Sequence, residues 1–348
     1  VSKAAKVLGK EALSREYEIL SEEVKKAIIS EYFTGNGRLA LKNQTAYIMA
    51  LYMDLVPKGY EKRVARDLAE KIKSDNGYLK TGFVGTPYNG YNELAYSLLL
   101  NKKCPSWLYP VTMGATTIWE RWNSVLPDGK ISGTDMNSLN HYAYGAIAEW
   151  MYRNMAGINP VEEAPGFRHV KLAPMPDYRF KYISASLNSP VGLYESKWRI
   201  HEDGKLAFEF NIPFNATASA VLPYANLESV YINGKLLSDK EFDIKIEENN
   251  LVVQLESGLW KFEYMPTKSY IKYYSSEMKL DELMSHEEAR EIVLSNCSAA
   301  RDLDGGLSAK FSFKSLRELQ ELPFFNPTPE EMAKVDELLG KIKVEVTI

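Results

Sequence analysis

The 348-residue chain is 45% hydrophobic and 25% charged, with a formal net charge of −4. This is globular composition with room for two domains; it excludes a broad basic footprint for nucleic acid, and no apolar run reaches membrane-spanning length. Two cysteines, Cys104 and Cys297, and four histidines supply neither a disulfide framework nor a zinc-ligand pattern, so neither metal nor cofactor is expected. Sparse cysteine fits a reducing cytoplasm. Secretion stays open, because the chain starts at Val1 and a removed signal peptide would be invisible.

Residues 2–33 read as one long helix, with Leu8, Ala12, Ile19, Val24 and Ile28 at roughly helical spacing. Gly35-Asn36-Gly37 stops it. A second helix is predicted over 43–56, closed by Pro57, and a third over 60–73, with Val64, Leu68 and Ile72 on one face. Residues 78–88 read as an apolar loop punctuated by Gly82, Gly85 and Pro87. A short helix follows over 92–101, then an aromatic turn at Pro105-Ser106-Trp107. The stretch from Met113 to Ser124 comes next, then a polar turn at Pro127-Asp128-Gly129, and a sixth helix over 136–155. Six helices joined by glycine-rich, aromatic loops suggest antiparallel pairs forming an arc, with loops at one end holding a site. Beyond Pro160 the period changes to two, with runs such as 206–212, 218–222 and 251–255 and turn signals at Asp203-Gly204 and Asn233-Gly234. Short strands with regular turns predict an antiparallel β-sandwich. From Ser275 short, charged helical patterns return without visible chemistry. The fold class is therefore α+β multidomain: helices over 1–160, a sandwich over 161–270 and a helical appendage over 271–348.

The chemistry concentrates between Met113 and Trp122. Glu120 stands between Trp119 and Trp122 and beside Arg121, and three of the six Trp fall between 107 and 122. A carboxylate loses hydration against indole, which suits it to proton transfer. Aromatic faces also stack on the C–H faces of sugars, and 22 Tyr lean the same way. The plainer reading is a core helix end in which Glu120 pairs with Arg121 or another base, inside a Tyr-rich core. If the stretch is helical, Trp119 and Trp122 lie on neighbouring faces, one flanking a ligand and the other packing inward. Arg121 either orients Glu120 or serves a structural pair. His141 offers two ring nitrogens to hydroxyl groups, although a lone histidine on a Tyr-rich helix is more often a satisfied core residue. Trp107 and Tyr88 are candidate rim groups, Tyr142 and Tyr144 candidate core, and His169 and His201 structural or exposed.

The run Gly114-Ala115-Thr116-Thr117-Ile118-Trp119-Glu120-Arg121-Trp122, followed by Ser138-Leu139-Asn140-His141-Tyr142-Ala143-Tyr144-Gly145, resembles the bacterial α-L-rhamnosidases of glycoside hydrolase family 78. The segments at 81–88 and 105–107 support it, and the resemblance spans about 39–266. It implies that the six helices are half of a twelve-helix (α/α)6 barrel, a partial six-hairpin domain, followed by the family's C-terminal β-sandwich. It assigns Glu120 as the general base that activates water and His141 to the sugar pocket; Trp119, Trp122, Trp107 and Tyr88 remain the aromatic candidates for substrate contact read from the residues themselves. It also implies inversion at the anomeric carbon.

Two departures from the family follow. Its general acid lies in the first half of the ring, which would precede Val1, so the chain is expected to hold the base without the acid and to be inactive alone. Asp135, the nearest carboxylate before the His141 motif, reads better as a helix N-cap. The segment between Tyr88 and Asn92 is also about two helical turns shorter than the family pattern. The implied substrate is a rhamnose-containing glycoside or polysaccharide, with no nucleic acid and no membrane partner. The alternatives are a non-catalytic carbohydrate-binding fragment, and a structural fragment that needs a missing N-terminal half or a partner chain.

Overall fold

Gly9 decides how the chain opens. It sits in the left-handed region at φ +68, which interrupts the helical ladder. The helix expected over 2–33 is therefore two, α1 (Ser2–Val7) and α2 (Glu11–Tyr32). The computed structural model describes residues 1–75, 78, 80–81, 92–133, 135–303, 311–312 and 314–344. They fall into two compact units, Val1–Ala146 and Ile147–Ile348.

In the first unit, α3 (Gln44–Tyr52) starts where the Asn43 side chain accepts the Ala46 N–H at 2.9 Å, satisfying one orphan donor of the first turn. α4 (Glu61–Ser74) packs against α3 as a hairpin and buries Val64, Leu68 and Ile72, the three apolar positions spaced by one turn. Each such burial stabilises by roughly 1.5–3 kcal/mol. Asp75 lies beyond α4 at 5% exposure. It accepts from Lys71 at 2.8 Å, Lys80 at 3.0 Å and Gln44 at 3.0 Å. Gln44, itself buried, also donates to the Tyr78 carbonyl at 2.9 Å and accepts the Lys80 N–H at 3.0 Å. This hub fixes the strand of chain leaving α4 against the start of α3. α5 (Asn92–Leu99) and α6 (Leu108–Thr112) complete the helices of this unit up to a 3₁₀ turn at Ala143–Ala146.

The second unit opens with helical turns at Ile147–Trp150 and a π-turn at Met151–Met155. The strands that follow are β1 (Ile158–Pro160), β2 (His169–Leu172), β3 (Tyr182–Ser189), β4 (Gly192–Ile200), β5 (Leu206–Ile212) and β6 (Thr217–Pro223), then β7 (Tyr231–Ile232), β8 (Lys235–Leu236), β9 (Ile244–Glu247), β10 (Asn250–Leu255) and β11 (Gly258–Tyr264). They form two sheets, ordered β1-β2-β6-β10-β9 and β3-β4-β5-β11-β7-β8. The predicted sandwich is present, with one exception to its antiparallel pairing: β2 runs parallel to β6. Across that pair His169 bridges Thr217 at 2.7 Å and Ser219 at 2.9 Å, a structural role. The inward rows are Tyr194, Trp198, Leu206, Phe208, Phe210 and Phe262, all nearly fully buried. Strict alternation along β5 produces this face. The tail carries its own core, in which Leu280, Leu283, Val293, Leu316, Phe325 and Val335 are buried together. They come from short helices including Leu280–Ser285, Glu287–Asn296, Leu316–Leu319 and Pro329–Leu339.

Candidate functional site

Gly114, at φ +81, ends α6 as a left-handed cap, its N–H donating to the Val111 carbonyl at 3.0 Å. From there to Tyr142 the described backbone runs in turns and short bridges, and among the described residues helical geometry resumes only at Ala143. The helix expected over 136–155 is thus confined to its second half. The polar turn at Pro127-Asp128-Gly129 is the tip of a small hairpin. Leu126 N–H donates to the Lys130 carbonyl at 2.8 Å and Ser132 N–H to the Ser124 carbonyl at 3.0 Å. Gly129, at φ +80, is the position such a tip requires. Met136 at φ +46 keeps the next residues out of a helix. Asp135 accordingly opens no helix among the described residues: it is exposed, and its carbonyl accepts from the Arg121 guanidinium.

The two motifs are laced to each other rather than each to itself. The His141 N–H donates to the Ile118 carbonyl at 2.8 Å, and the Glu120 N–H to the Ser138 carbonyl at 2.8 Å. The Thr117 hydroxyl adds a bond to the Leu139 carbonyl. These bonds replace the helical ladder for the donors of this stretch. The Ser138 N–H returns to the Glu120 carboxylate, reaching Oε2 at 2.8 Å. This charge-assisted bond orients the side chain. Glu120 is half-buried. Among the described residues it makes no ion pair, and its Oε1 accepts no hydrogen bond. Arg121, directed at Asp135, is not its partner. The result is an oriented carboxylate with one oxygen available, able to take a proton from a bound water.

Beside it lies an aromatic cluster. Trp122 stacks on Tyr144 with centroids 3.7 Å apart at 27°, and meets Trp107 edge-on at 5.5 Å and 90°. The Trp107 N–H donates to the Tyr144 carbonyl at 3.1 Å. Burial pushes the Tyr144 phenol up from its ordinary value. Trp107, Trp119, Trp122, Tyr144 and Arg121 line a cleft of about 270 Å³. Glu120 and His141 are not among the residues that line it. His141 is half-buried and stacks on Tyr142 at 5.0 Å and 15°. Tyr142, expected in the core, is 79% exposed. Tyr88 lies outside the described residues.

Three participants were not visible in the sequence. Ser138 acts through its backbone N–H, which carries no residue-type signal. Tyr144, a candidate core residue, is the ring on which Trp122 rests. Asn137 clamps the hairpin with its amide, donating to the Gly133 carbonyl at 2.8 Å and the Ser124 carbonyl at 3.3 Å. Its place just before Ser138 was the available hint. Among the described residues no group of three or more His, Cys, Asp or Glu could hold a metal ion, and no helix is long and apolar enough to cross a membrane.

Comparison with known proteins identifies the family of the chain. Residues 1–155 match the model of the bacterial α-L-rhamnosidase six-hairpin glycosidase domain, and residues 157–236 that of the bacterial α-L-rhamnosidase C-terminal domain. An α-L-rhamnosidase of Formosa agariphila is 38% identical over 277 residues, which is 75% of this chain and 29% of that protein. One of Streptomyces avermitilis is 34% identical over 269 residues, 75% of this chain and 25% of its own length. The crystal structure of a Streptomyces avermitilis α-L-rhamnosidase complexed with L-rhamnose superposes with a TM-score of 0.68 at 33% identity, covering 75% of this chain and 25% of that one. The structure of α-L-rhamnosidase from Dictyoglumus thermophilum gives 0.68 at 31% identity, covering 76% and 30%. The chain therefore spans only a quarter to three-tenths of the length of these proteins.

Proposed function

Given that this chain carries the six-hairpin and C-terminal domains of the bacterial α-L-rhamnosidases, we propose that it contributes the base side of an α-L-rhamnosidase active site. Glu120 is the general base, and His141 and the tryptophans contact the sugar. The observation that carries this reading is the Glu120 carboxylate, oriented by the Ser138 N–H at 2.8 Å with its second oxygen open. In an inverting hydrolysis that oxygen takes a proton from water as the water attacks the anomeric carbon. A second carboxyl group about 6.5–9.5 Å away protonates the leaving oxygen. The family resemblance puts that acid in a part of the helical ring that these 348 residues do not include. The substrate is a terminal α-L-rhamnoside on a glycoside or polysaccharide. The division into 1–160, 161–270 and 271–348 belongs to the same reading.

Two measurements test it. The 348-residue chain alone should release essentially no rhamnose from an aryl α-L-rhamnoside; Glu120-dependent turnover by it would refute the division of acid from base. In a protein that also contains the acid-bearing segment, Glu120→Gln should lower kcat by about 10²–10⁴ while the KM for the rhamnoside changes little. Unchanged kcat would remove Glu120 from the mechanism. A second reading, a carbohydrate-binding fragment without catalysis, is favoured by the tryptophan-lined cleft, which is formed without Glu120. Calorimetric binding of rhamnose that survives Glu120→Ala and disappears in Trp122→Ala would support it.

A further inference from the structure

A concavity of about 920 Å³ in the second unit lies on the outer face of the six-stranded sheet. One rung of the sheet crosses it. In register run Tyr182, Arg199, Ala207, Glu263 and Tyr231, contributed by β3, β4, β5, β11 and β7 in turn. Tyr182 is 60% and Tyr231 51% exposed. Tyrosine on a solvent-facing sheet position is ordinary. Two of them at opposite ends of one rung, with the small side chain of Ala207 between, instead leave an open floor. At 4.7–4.9 Å per strand the two tyrosines stand roughly 19 Å apart.

The charges on this floor are unequal. Lys197, Arg199, Lys205 and Lys261 face two carboxylates, Glu209 and Glu263. Glu209 is taken up by Lys197 at 3.0 Å and Lys261 at 3.1 Å, Glu263 lies 3.6 Å from Lys205, and at the rim Lys197 and Lys205 also reach Glu195 and Asp203, each at 3.4 Å. Arg199 is left over: among the described residues it has no ion pair. Its guanidinium instead sits 5.4 Å from the centroid of the Tyr182 ring, a cation–π contact that holds the fork in place while leaving its N–H donors open. A pre-positioned, unpaired guanidinium selects a carboxylate or sulfate. Tyr231, about three strands away, offers a ring face to a sugar farther along the chain.

We propose that this sheet face is a second saccharide site, one that takes an acidic oligosaccharide, with Arg199 gripping the acidic group and Tyr231 stacking on a neighbouring ring. The choice of a saccharide over another anion rests on the rhamnosidase reading above; the site itself does not involve Glu120.

The test is calorimetry on the 348-residue chain with three probes: tetragalacturonate, a sulfated carrageenan tetrasaccharide and uncharged maltotetraose. The first two distinguish carboxylate from sulfate as the recognised group. Binding of at least one acidic probe, at least tenfold tighter than maltotetraose and weakened at least tenfold by Arg199→Ala and by Tyr231→Ala, is expected. Circular dichroism melts of both variants guard against misfolding. Arg199→Lys should recover only part of the affinity, because an ammonium lacks the planar fork. Equal affinity for the neutral probe, no binding of either acidic probe, or binding indifferent to Arg199 would overturn the proposal. Binding that persists in Glu120→Gln separates this site from the catalytic reading, so either can fail without the other.

Discussion

Two carboxylates of the helical unit show how neighbours decide what an acid does. Asp75 is buried, which alone would favour its neutral form. Hydrogen bonds from Lys71, Lys80 and Gln44 outweigh that and hold its carboxyl below the usual carboxylate range. Its contribution to stability is thus fully present above the unfolded value of about 3.9 and lost as pH falls through the lower folded value. Asp75→Ala should cost about 1–3 kcal/mol at pH 7, the lysines being partly solvated and Gln44 losing an acceptor. Urea melts should show the gap between wild type and variant narrowing below about pH 4; a gap independent of pH would mean the charge is not what matters. Glu120 is wired differently. It has one backbone donor, no counter-ion among the described residues and a free oxygen, an arrangement suited to a reactant rather than a brace. The residue type and the flanking indoles pointed to Glu120 from the sequence. The identity of its donor was hidden, because a backbone N–H looks the same at every position.

At the scale of elements, periodicity carried the parts that pack locally. The apolar spacing of Val64, Leu68 and Ile72 and the alternation of 206–212 were readable because each element buries one face along its own length. The first half of the expected helix over 136–155 is not helical, for a non-local reason. Residues 138–141 spend their hydrogen bonds on 117–120, a pairing that no local window contains. The opening helix failed at Gly9, a local signal that the surrounding apolar pattern outweighed. Gly157 shows a constraint of the same non-local kind. Its φ is +79, and a Cβ there would lie 2.0 Å from the Pro174 nitrogen and 2.3 Å from the Ala173 carbonyl carbon, while its own carbonyl accepts the Ala173 N–H at 2.8 Å. Backbone cannot yield as a side-chain tip can, so Gly157→Ala should destabilise the second unit by more than about 2 kcal/mol. A thermal melt within 1–2 °C of wild type, well inside the several degrees such a loss implies, would contradict this. In the tail, Thr328 and Glu331 form a reciprocal capping box on the helix Pro329–Leu339. Thr328→Ala should cost about 1 kcal/mol, seen as lost hydrogen-exchange protection over residues 329–339 and no loss in the strands.

At the scale of the molecule, the unusual feature is α2. Of its 22 residues only Ser14 is buried, while Leu13, Leu20 and Val24 stand at 38%, 48% and 50% exposure. Positions seven and four residues apart share a helix face, so this is an uncovered apolar stripe of the kind that marks an association surface. The 348-residue chain should self-associate with rising concentration in light scattering, and Leu20→Lys with Val24→Lys should return it to a monomer. A monodisperse wild type at high concentration would show the stripe to be tolerated by water. The sequence by itself determined that helices precede a sandwich, together with the family, and it singled out Glu120 as the candidate carboxylate. Those rest on local periodicity and on residue types in a fixed order. Only the tertiary structure decided which backbone group orients Glu120, which ring supports Trp122 and which arginine of the six-stranded sheet has no ion pair among the described residues. Each of these is a pairing between segments distant in sequence, settled by which donors and charges remain after the chain has packed.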